Sequence, residues 1–211
     1  MICVSIGHIS QVSNLLEQGI ELIELRLDLI KQDPGEIFAL LPDQVRSIVT
    51  CRPEGFSDRE RSELLKTSLD LGASYIDIEV ESSDGYATEL IAHAQQCGTG
   101  VIFSYHNFQL TPGREELENL MKRCLERGGD ITKIATCVIT GEDIGILLSL
   151  YDIPCKKVVI GMGPLGRITR VMAPYLGAEF TFASLDGGDE TAPGQLTVNQ
   201  LNEIYNVINK S

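Results

Sequence analysis

Short apolar stretches alternate with amphipathic stretches along the whole chain. The apolar stretches are rich in β-branched residues, as buried strands are, whereas the amphipathic stretches repeat their apolar residues at helical spacing. The predicted strands lie near residues 1–6, 22–28, 47–52, 75–80, 100–106, 130–136, 157–163 and 179–185. The predicted helices lie near residues 11–18, 36–41, 58–71, 86–96, 114–127, 142–151, 168–176 and 198–209.

Strand-then-helix units in an unbroken row predict a parallel sheet whose strands are joined by helical crossovers. Eight such units are the number that closes a (β/α)8 TIM barrel, so we predict an α/β protein with this fold. The 211 residues contain no linker, low-complexity segment or separate repeat, and a single domain over residues 1–211 is expected. This length is near the lower end for the fold, so the loops must be short.

Charged and apolar residues alternate within the second predicted strand. Because the side chains of a strand alternate between its faces, and the apolar face must meet the helices, Glu24, Arg26 and Asp28 should point into the barrel. The same parity places inside the barrel Cys3, Ser5, Thr50, Arg52, Asp77, Glu79, Ser104, His106 and Lys133. We therefore expect an interior filled with charges that offset one another, where a purely structural barrel holds bulky branched residues.

Buried charges are costly, and they persist when they are paired or used in chemistry. One interpretation of this interior is an ion-pair network that only fixes the register of the strands. The presence of Lys133 together with His106 favours a reactive site instead.

Lys133 stands in the middle of the predicted strand 130–136. Burial and nearby arginine charges are expected to lower the pKa of this lysine, and a neutral amine can form an imine with a ketone or aldehyde. The alternative is a lysine near a strand end whose stem reaches solvent. His106 ends the neighbouring strand, about 4.8 Å away, and could move a proton on the carbon next to an imine. Together with Arg52, these residues fall at the carboxyl ends of strands, where barrel enzymes place their active sites.

The segment from Gly161 to Gly166 fits the pattern G-x-G-x-x-G between a strand and a helix, and Asp186 lies about where a ribose-binding acid would be. This favours a nucleotide site, but a dinucleotide fold needs further strands after this unit. In a barrel, the loops after strands seven and eight form an anion site instead. Arg170, one helical turn further on, suits a carboxylate or a phosphate.

The charge balance narrows the choice of partners. With 17 basic and 30 acidic residues the net charge is −13, so the surface should repel nucleic acid and anionic membranes. An anionic substrate would need a local positive site. No apolar run reaches the roughly 18 residues of a membrane span, and the amino terminus lacks the pattern of a signal peptide.

The six cysteines show no C-x-x-C spacing and no histidine-rich neighbourhood. A zinc site is therefore not expected, and reduced thiols point to the cytoplasm. His8 is expected in a loop and His93 on a helix surface, neither with a function.

Seven short segments, in order, resemble the type I 3-dehydroquinate dehydratases of the shikimate pathway. They are ELRLD at 24–28, TCR at 50–52, DIE at 77–79, SYHNF at 104–108, KIA at 133–135, the segment from Met162 to Arg170, and APGQ at 192–195. The resemblance covers nearly the whole chain and implies a (β/α)8 barrel, without metal or cofactor, that is commonly a homodimer.

The resemblance also implies roles for individual residues. Lys133 would be the Schiff-base lysine and His106 the general acid and base. Glu54 would orient the histidine, although it lies in a shortened segment after Arg52, and Glu79 is the alternative. The substrate-binding residues would be Ser5, Glu24, Arg26, Arg52, Arg170, Thr191 and Gln195. Two of the family's usual serines are replaced here by Thr169 and Thr191, which keep the hydroxyl group.

The implied activity is that of a lyase that converts 3-dehydroquinate to 3-dehydroshikimate in the cytoplasm, with this small molecule as the expected partner. A Schiff-base aldolase on the same barrel would share Lys133 but would favour a phosphate site after strand seven. A nucleotide-binding oxidoreductase would use the segment from Gly161 to Gly166. A non-catalytic barrel would have no use for Lys133 beside His106.

Overall fold

Eight parallel strands follow one another along the chain and form a nearly closed barrel. This computed structural model describes residues 1–12, 15, 18–187 and 191–210. The strands are β1 (Ile2–Ile6), β2 (Leu22–Arg26), β3 (Arg46–Thr50), β4 (Tyr75–Glu79), β5 (Gly100–Asn107), β6 (Ile131–Cys137), β7 (Lys157–Met162) and β8 (Thr181–Ala183). Their order in the sheet is β7-β6-β5-β4-β3-β2-β1-β8. A backbone hydrogen bond of 3.1 Å from Glu179 to Lys157 joins the two ends of this order, and the predicted TIM barrel is confirmed.

Helices cover the outside of the barrel between the strands. They are α1 (Leu27–Ile30), α2 (Pro34–Phe38), α3 (Asp58–Asp70), α4 (Asp84–Cys97), α5 (Arg114–Glu126), α6 (Gly141–Ser149), α7 (Arg167–Met172) and α8 (Val198–Asn209). The last turns of the predicted helices 142–151 and 168–176 are 3₁₀ turns at Leu150–Asp152 and Ala173–Leu176. The predicted helix 11–18 lies partly outside the described residues. No helix in the described ranges has both the length and the apolar character needed to cross a membrane.

The helix starts follow from local sequence. At the start of α3, the Ser57 hydroxyl accepts the Glu60 amide, and the Glu60 carboxylate accepts the Ser57 amide in return. This reciprocal pair satisfies amide groups that have no partner within the helix. The same arrangement of residues begins α6 and α8.

Two apolar layers hold the barrel together. The outer layer, between strands and helices, includes Val4, Ile23, Leu25, Val49, Ile76 and Phe103 from the strands and Leu65, Leu69, Leu90 and Ala94 from α3 and α4. The inner layer includes Cys3, Leu22, Ile48, Ile102, Ile131, Val158 and Phe182. Each large side chain buried in this way stabilises the fold by about 1.5–3 kcal/mol.

The inner layer corrects one expectation. Charges do not fill the whole interior, because apolar residues occupy the half nearer the amino ends of the strands. The charged residues lie above them, toward the carboxyl ends. Asp28, predicted on a strand, belongs to the first turn of α1.

Strand register brings the polar residues to similar heights. Ser5 pairs with Glu24, Thr50 pairs with Asp77, and Ser104 pairs with Lys133. Since neighbouring strands lie about 4.8 Å apart, these side chains are within reach of one another across the sheet.

Candidate active site

A cavity of about 450 Å³ opens at the carboxyl ends of the strands. Every residue predicted for the site lines it, namely Ser5, Glu24, Arg26, Arg52, Glu54, His106, Lys133, Arg170, Thr191 and Gln195. A second cavity of about 480 Å³, near Met1 and α8, has Glu21 as the one carboxylate among its described lining residues and no lysine, arginine or histidine there. The residues predicted for catalysis and substrate binding therefore meet in the first cavity.

Lys133 lies in the middle of β6 and is only 4% exposed. Its Nζ lies 3.1 Å from Glu24 Oε1 and 2.9 Å from Asp77 Oδ2, and 4.3 Å from the centre of the Phe182 ring. The groups in contact with Lys133 are thus carboxylates. The nearby arginine is Arg52, which contacts Asp77 at 3.2 Å. Either carboxylate is placed to accept a proton from Nζ when the amine becomes a nucleophile.

Hydroxyl groups hold these two carboxylates. Ser5 Oγ donates to Glu24 Oε2 at 2.8 Å, and Thr50 Oγ1 donates to Glu24 Oε1 at 3.0 Å. Ser104 Oγ donates to Asp77 Oδ1 at 2.5 Å. Because each carboxylate has partners besides Lys133, its orientation can persist when the lysine reacts.

Positive charges keep both carboxylates ionised. Burial opposes ionisation of Glu24, but the charges of Lys133, Arg26 and Arg52 together outweigh it, and the pKa of Glu24 is below its ordinary value. Burial likewise opposes ionisation of Asp77, yet Arg52 and Lys133 hold the pKa of Asp77 well below its usual range. Both groups therefore carry a negative charge at neutral pH.

A chain of alternating charges leads from the barrel interior to helix α3. Arg52 contacts Asp77 at 3.2 Å and Glu79 at 2.7 Å through one nitrogen. On the far side, Arg61 contacts Glu79 at 2.5 Å and donates to the Cys51 carbonyl at 2.8 Å. In the order Lys133, Asp77, Arg52, Glu79, Arg61, each charge lies beside a charge of opposite sign.

Arg61 was missed by the sequence analysis. It lies three residues after Asp58, which is the spacing of an ordinary helix-surface ion pair, and such a pair is present at 3.3 Å. A signal was nevertheless available, because Arg61 shares the apolar face of α3 with Leu65 and Leu69. A charge on a core-facing stripe needs a buried partner, and Glu79 supplies it.

His106 lies on β5 beside Ala135 of β6, and its ring stacks on Phe108 with 6.2 Å between ring centres. Burial, followed by the charges of Arg52 and Lys133, places the pKa of His106 well below its ordinary value of 6.5. The imidazole is therefore neutral at pH 7 and can accept a proton.

Neither carboxylate suggested as the orienting group hydrogen-bonds to His106 within the described part of the chain. Glu79 is bound by Arg52 and Arg61. Glu54 lies exposed at the mouth of the cavity, so its role stays a prediction.

The remaining predicted residues surround the cavity. Arg26 makes a two-point contact with Asp28 at 3.0 and 2.6 Å. Arg170, on α7, is 1% exposed and lines the cavity. In the loop after β8, Gln195 Oε1 accepts the Thr191 amide at 2.9 Å, and its Nε2 donates to the Thr191 hydroxyl at 3.1 Å.

The segment from Gly161 to Gly166 contains glycine for close packing. A Cβ atom on Gly161 would lie 2.8 Å from the Cα of Gly166. The Gly161 amide donates to Thr169 Oγ1 at 2.6 Å, and the Gly166 amide donates to the Gly163 carbonyl at 3.1 Å. These amides serve the protein itself, so the segment gives no support to the nucleotide-binding alternative.

Comparisons with known proteins converge on one family. The family model for type I 3-dehydroquinase matches residues 2–211. A 3-dehydroquinate dehydratase of Methanococcus maripaludis is 35% identical, over 99% of this chain and 100% of that protein. The crystal structure of the 3-dehydroquinate dehydratase from Aquifex aeolicus has a TM-score of 0.86 and 29% identity, with 100% of each chain covered. The type I enzyme from Clostridium difficile, solved with covalent modified comenic acid, has a TM-score of 0.87 and 25% identity, over 98% of this chain and 91% of that chain.

The series of alternating charges from Lys133 to Arg61 can be tested at its outer end, on helix α3. The Arg61→Leu variant should lower the free energy of unfolding by at least ~2 kcal/mol, because it leaves Glu79 partly buried without its outer partner. Arg59→Leu is the matched control, since Arg59 lies on the same helix in an exposed pair with Glu63. Urea denaturation measures both variants. Equal free energies of unfolding for the two variants would mean that the Arg61–Glu79 contact does not stabilise the fold.

Proposed function

Because the chain belongs to the type I 3-dehydroquinase family and dehydrates 3-dehydroquinate to 3-dehydroshikimate, we propose that Lys133 is the residue that forms the Schiff base. The observation that carries the proposal is the environment of this amine. Of the described residues that line the cavity, Lys133 is the only lysine, and its Nζ contacts two carboxylates able to accept its proton.

The first step joins the substrate to the enzyme. Lys133 gives a proton to Glu24 or Asp77, and the free Nζ attacks the C3 ketone to form a carbinolamine. The same proton then returns to the carbinolamine hydroxyl, which leaves as water and gives a protonated imine. This imine withdraws electrons from the neighbouring carbon C2.

The second step uses the neutral imidazole of His106. It removes a proton from C2 and leaves an enamine. The resulting imidazolium then gives its proton to the C1 hydroxyl group, which departs as water. Hydrolysis of the imine releases 3-dehydroshikimate and restores Lys133, so the net change is the loss of one water molecule from the substrate.

Arginines and polar groups hold the substrate. We assign the ring hydroxyl groups to Glu24, Arg26 and Arg52, and the carboxylate to Arg170 and Gln195. All of them line the cavity. The arginines among them provide the local positive potential that a chain with a net charge of −13 otherwise lacks. Ser5 and Thr191 complete the wall, with Ser5 also fixing Glu24.

A Schiff-base aldolase is the nearest alternative chemistry. It would use the loops after β7 and β8 to bind a phosphate group. Here the amides of Gly161, Gly163 and Gly166 donate to groups of the protein itself. The carboxylates and arginines around Lys133 suit a hydroxylated carboxylic acid better.

The Schiff base can be trapped chemically. Borohydride added to protein with substrate or product should reduce the imine to a stable secondary amine, and peptide mapping should place the adduct on Lys133. Lys133→Ala should abolish both the adduct and dehydration. Lys156 and Lys157 serve as internal controls, because they lie at the opposite, amino-terminal end of β7. Turnover by the wild-type protein without any adduct on Lys133 would show that the reaction does not use this imine.

The proton transfer is tested at His106. His106→Ala should lower turnover by at least ~100-fold, the usual contribution of a general acid or base, while borohydride still traps the substrate on Lys133. Tyr105→Phe is the matched control, since Tyr105 packs on the other face of the same strand.

The pH dependence gives a second measurement of the same residue. Because the pKa of His106 lies well below 6.5, the base stays unprotonated as the pH falls through 6.5. The kcat/KM of the wild-type protein should therefore decline only at lower pH. Near-normal turnover of His106→Ala would assign the proton transfer to another group.

We also propose that the enzyme works as a homodimer in the cytoplasm. The family resemblance supports the dimer, and the six free thiols suit a reducing compartment. Sedimentation velocity should find a species of twice the 23.1 kDa of one chain. A species of 23.1 kDa at all concentrations would exclude the dimer.

A further inference from the structure

Three potential metal ligands meet on the outside of the barrel, where helices α3 and α4 end. His93 Nε2 lies 2.7 Å from Asp70 Oδ1, and Cys97 Sγ lies 3.7 Å from the same oxygen. The three ligand atoms all lie within 4.8 Å of one another. In the described part of the chain this is the one group of three or more histidine, cysteine and acidic side chains that meets so closely. None of the three lines the catalytic cavity.

Helix geometry holds the ligands together. His93 and Cys97 are four residues apart on α4, so they share one face of that helix. Asp70 is the last residue of α3, the helix packed beside α4. One turn earlier on both helices, Lys66 and Glu89 form a second contact between the helices. Two rigid elements in a fixed register therefore present an imidazole, a thiol and a carboxylate to the same point.

We propose that Asp70, His93 and Cys97 bind a divalent transition-metal ion of the zinc type, with water as the remaining ligand. Zinc bonds of about 2.0–2.3 Å to nitrogen, oxygen and sulfur place tetrahedral ligand atoms about 3.3–3.8 Å apart. The sulfur-to-oxygen distance of 3.7 Å already fits. The nitrogen-to-oxygen distance of 2.7 Å has to widen by several tenths of an ångström, which side-chain rotation at a partly exposed site allows.

The ligand types select the class of ion. Thiolate and imidazole suit zinc, cobalt, nickel and copper, whereas magnesium and calcium prefer oxygen ligands alone. Binding requires the thiolate, so Cys97 releases its proton to solvent as the metal–sulfur bond forms, and the ion replaces the hydrogen bond between Asp70 and His93.

An ion at this point would connect the ends of two neighbouring helices. Since the ligands come from α3 and α4, they meet only in the folded chain, and metal binding should raise stability by mass action. The sequence analysis did not expect zinc, because it considered only ligands close together in sequence. His93 and Cys97 need a third ligand from another helix, which the packing supplies.

Cobalt absorbance tests the proposal directly. The chelator-treated full-length protein, titrated with Co²⁺ alone, should develop a thiolate-to-cobalt charge-transfer band, and added Zn²⁺ should remove it by competition. Cys97→Ser should abolish the band. Asp70→Asn and His93→Ala should each weaken cobalt binding by at least ~10-fold, because each removes one of three protein ligands.

Two control variants separate ligation from other effects. Glu89→Gln removes the adjacent interhelical ion pair but no ligand, and Cys155→Ser removes another partly exposed thiol; both should bind cobalt like the wild type. Zn²⁺ should raise the Tm of the wild type and of both controls, but not that of Asp70→Asn. The proposal is overturned if the band is missing in the wild type, if it survives in Cys97→Ser, or if Glu89→Gln weakens binding as much as Asp70→Asn.

Discussion

The salt bridge of Lys133 with Glu24 and Asp77 is the constraint on which the rest of the site depends. An ammonium group buried in the middle of a barrel strand destabilises the fold unless opposite charges face it. Those carboxylates in turn need partners, which are hydroxyl groups on neighbouring strands and the guanidinium of Arg52. Arg52 also contacts Glu79, and Glu79 contacts Arg61 on helix α3.

The same network prepares the chemistry. Because positive groups surround His106 and burial penalises its charge, the imidazole is neutral at the pH where it must act as a base. Because Asp77 and Glu24 remain ionised, proton acceptors stand beside the reactive amine. The electrostatic arrangement that makes the buried charges tolerable thus also sets the neutral state of His106 and the ionised state of Glu24 and Asp77.

The apolar residues that stabilise the barrel and the charged residues of the site lie in opposite halves of the barrel. Apolar residues such as Ile48 and Ile102 fill the half nearer the amino ends of the strands, so the charged half rests on a buried apolar layer. The loops after β7 and β8 pack backbone on backbone at the rim, since a Cβ atom on Gly194 would lie 2.5 Å from the carbonyl oxygen of Gly163. Arg170, Thr191 and Gln195 are polar groups on that side of the cavity.

The sequence by itself determined the alternation of strands and helices, the barrel, and the set of residues around the cavity. Strand parity decides which side chains of a strand point inward, and Lys133, His106 and Arg52 follow that rule. Glu54, Thr191 and Gln195 were expected only from the resemblance to the family. The sequence alone did not predict the contacts between segments that are distant along the chain. Arg61 was missed, the carboxylates that contact Lys133 were not named, and Asp70 had no visible link to His93. Each of these depends on which helix or strand lies next to which, and at what height, and that is fixed only when the sheet closes and the helices pack against it.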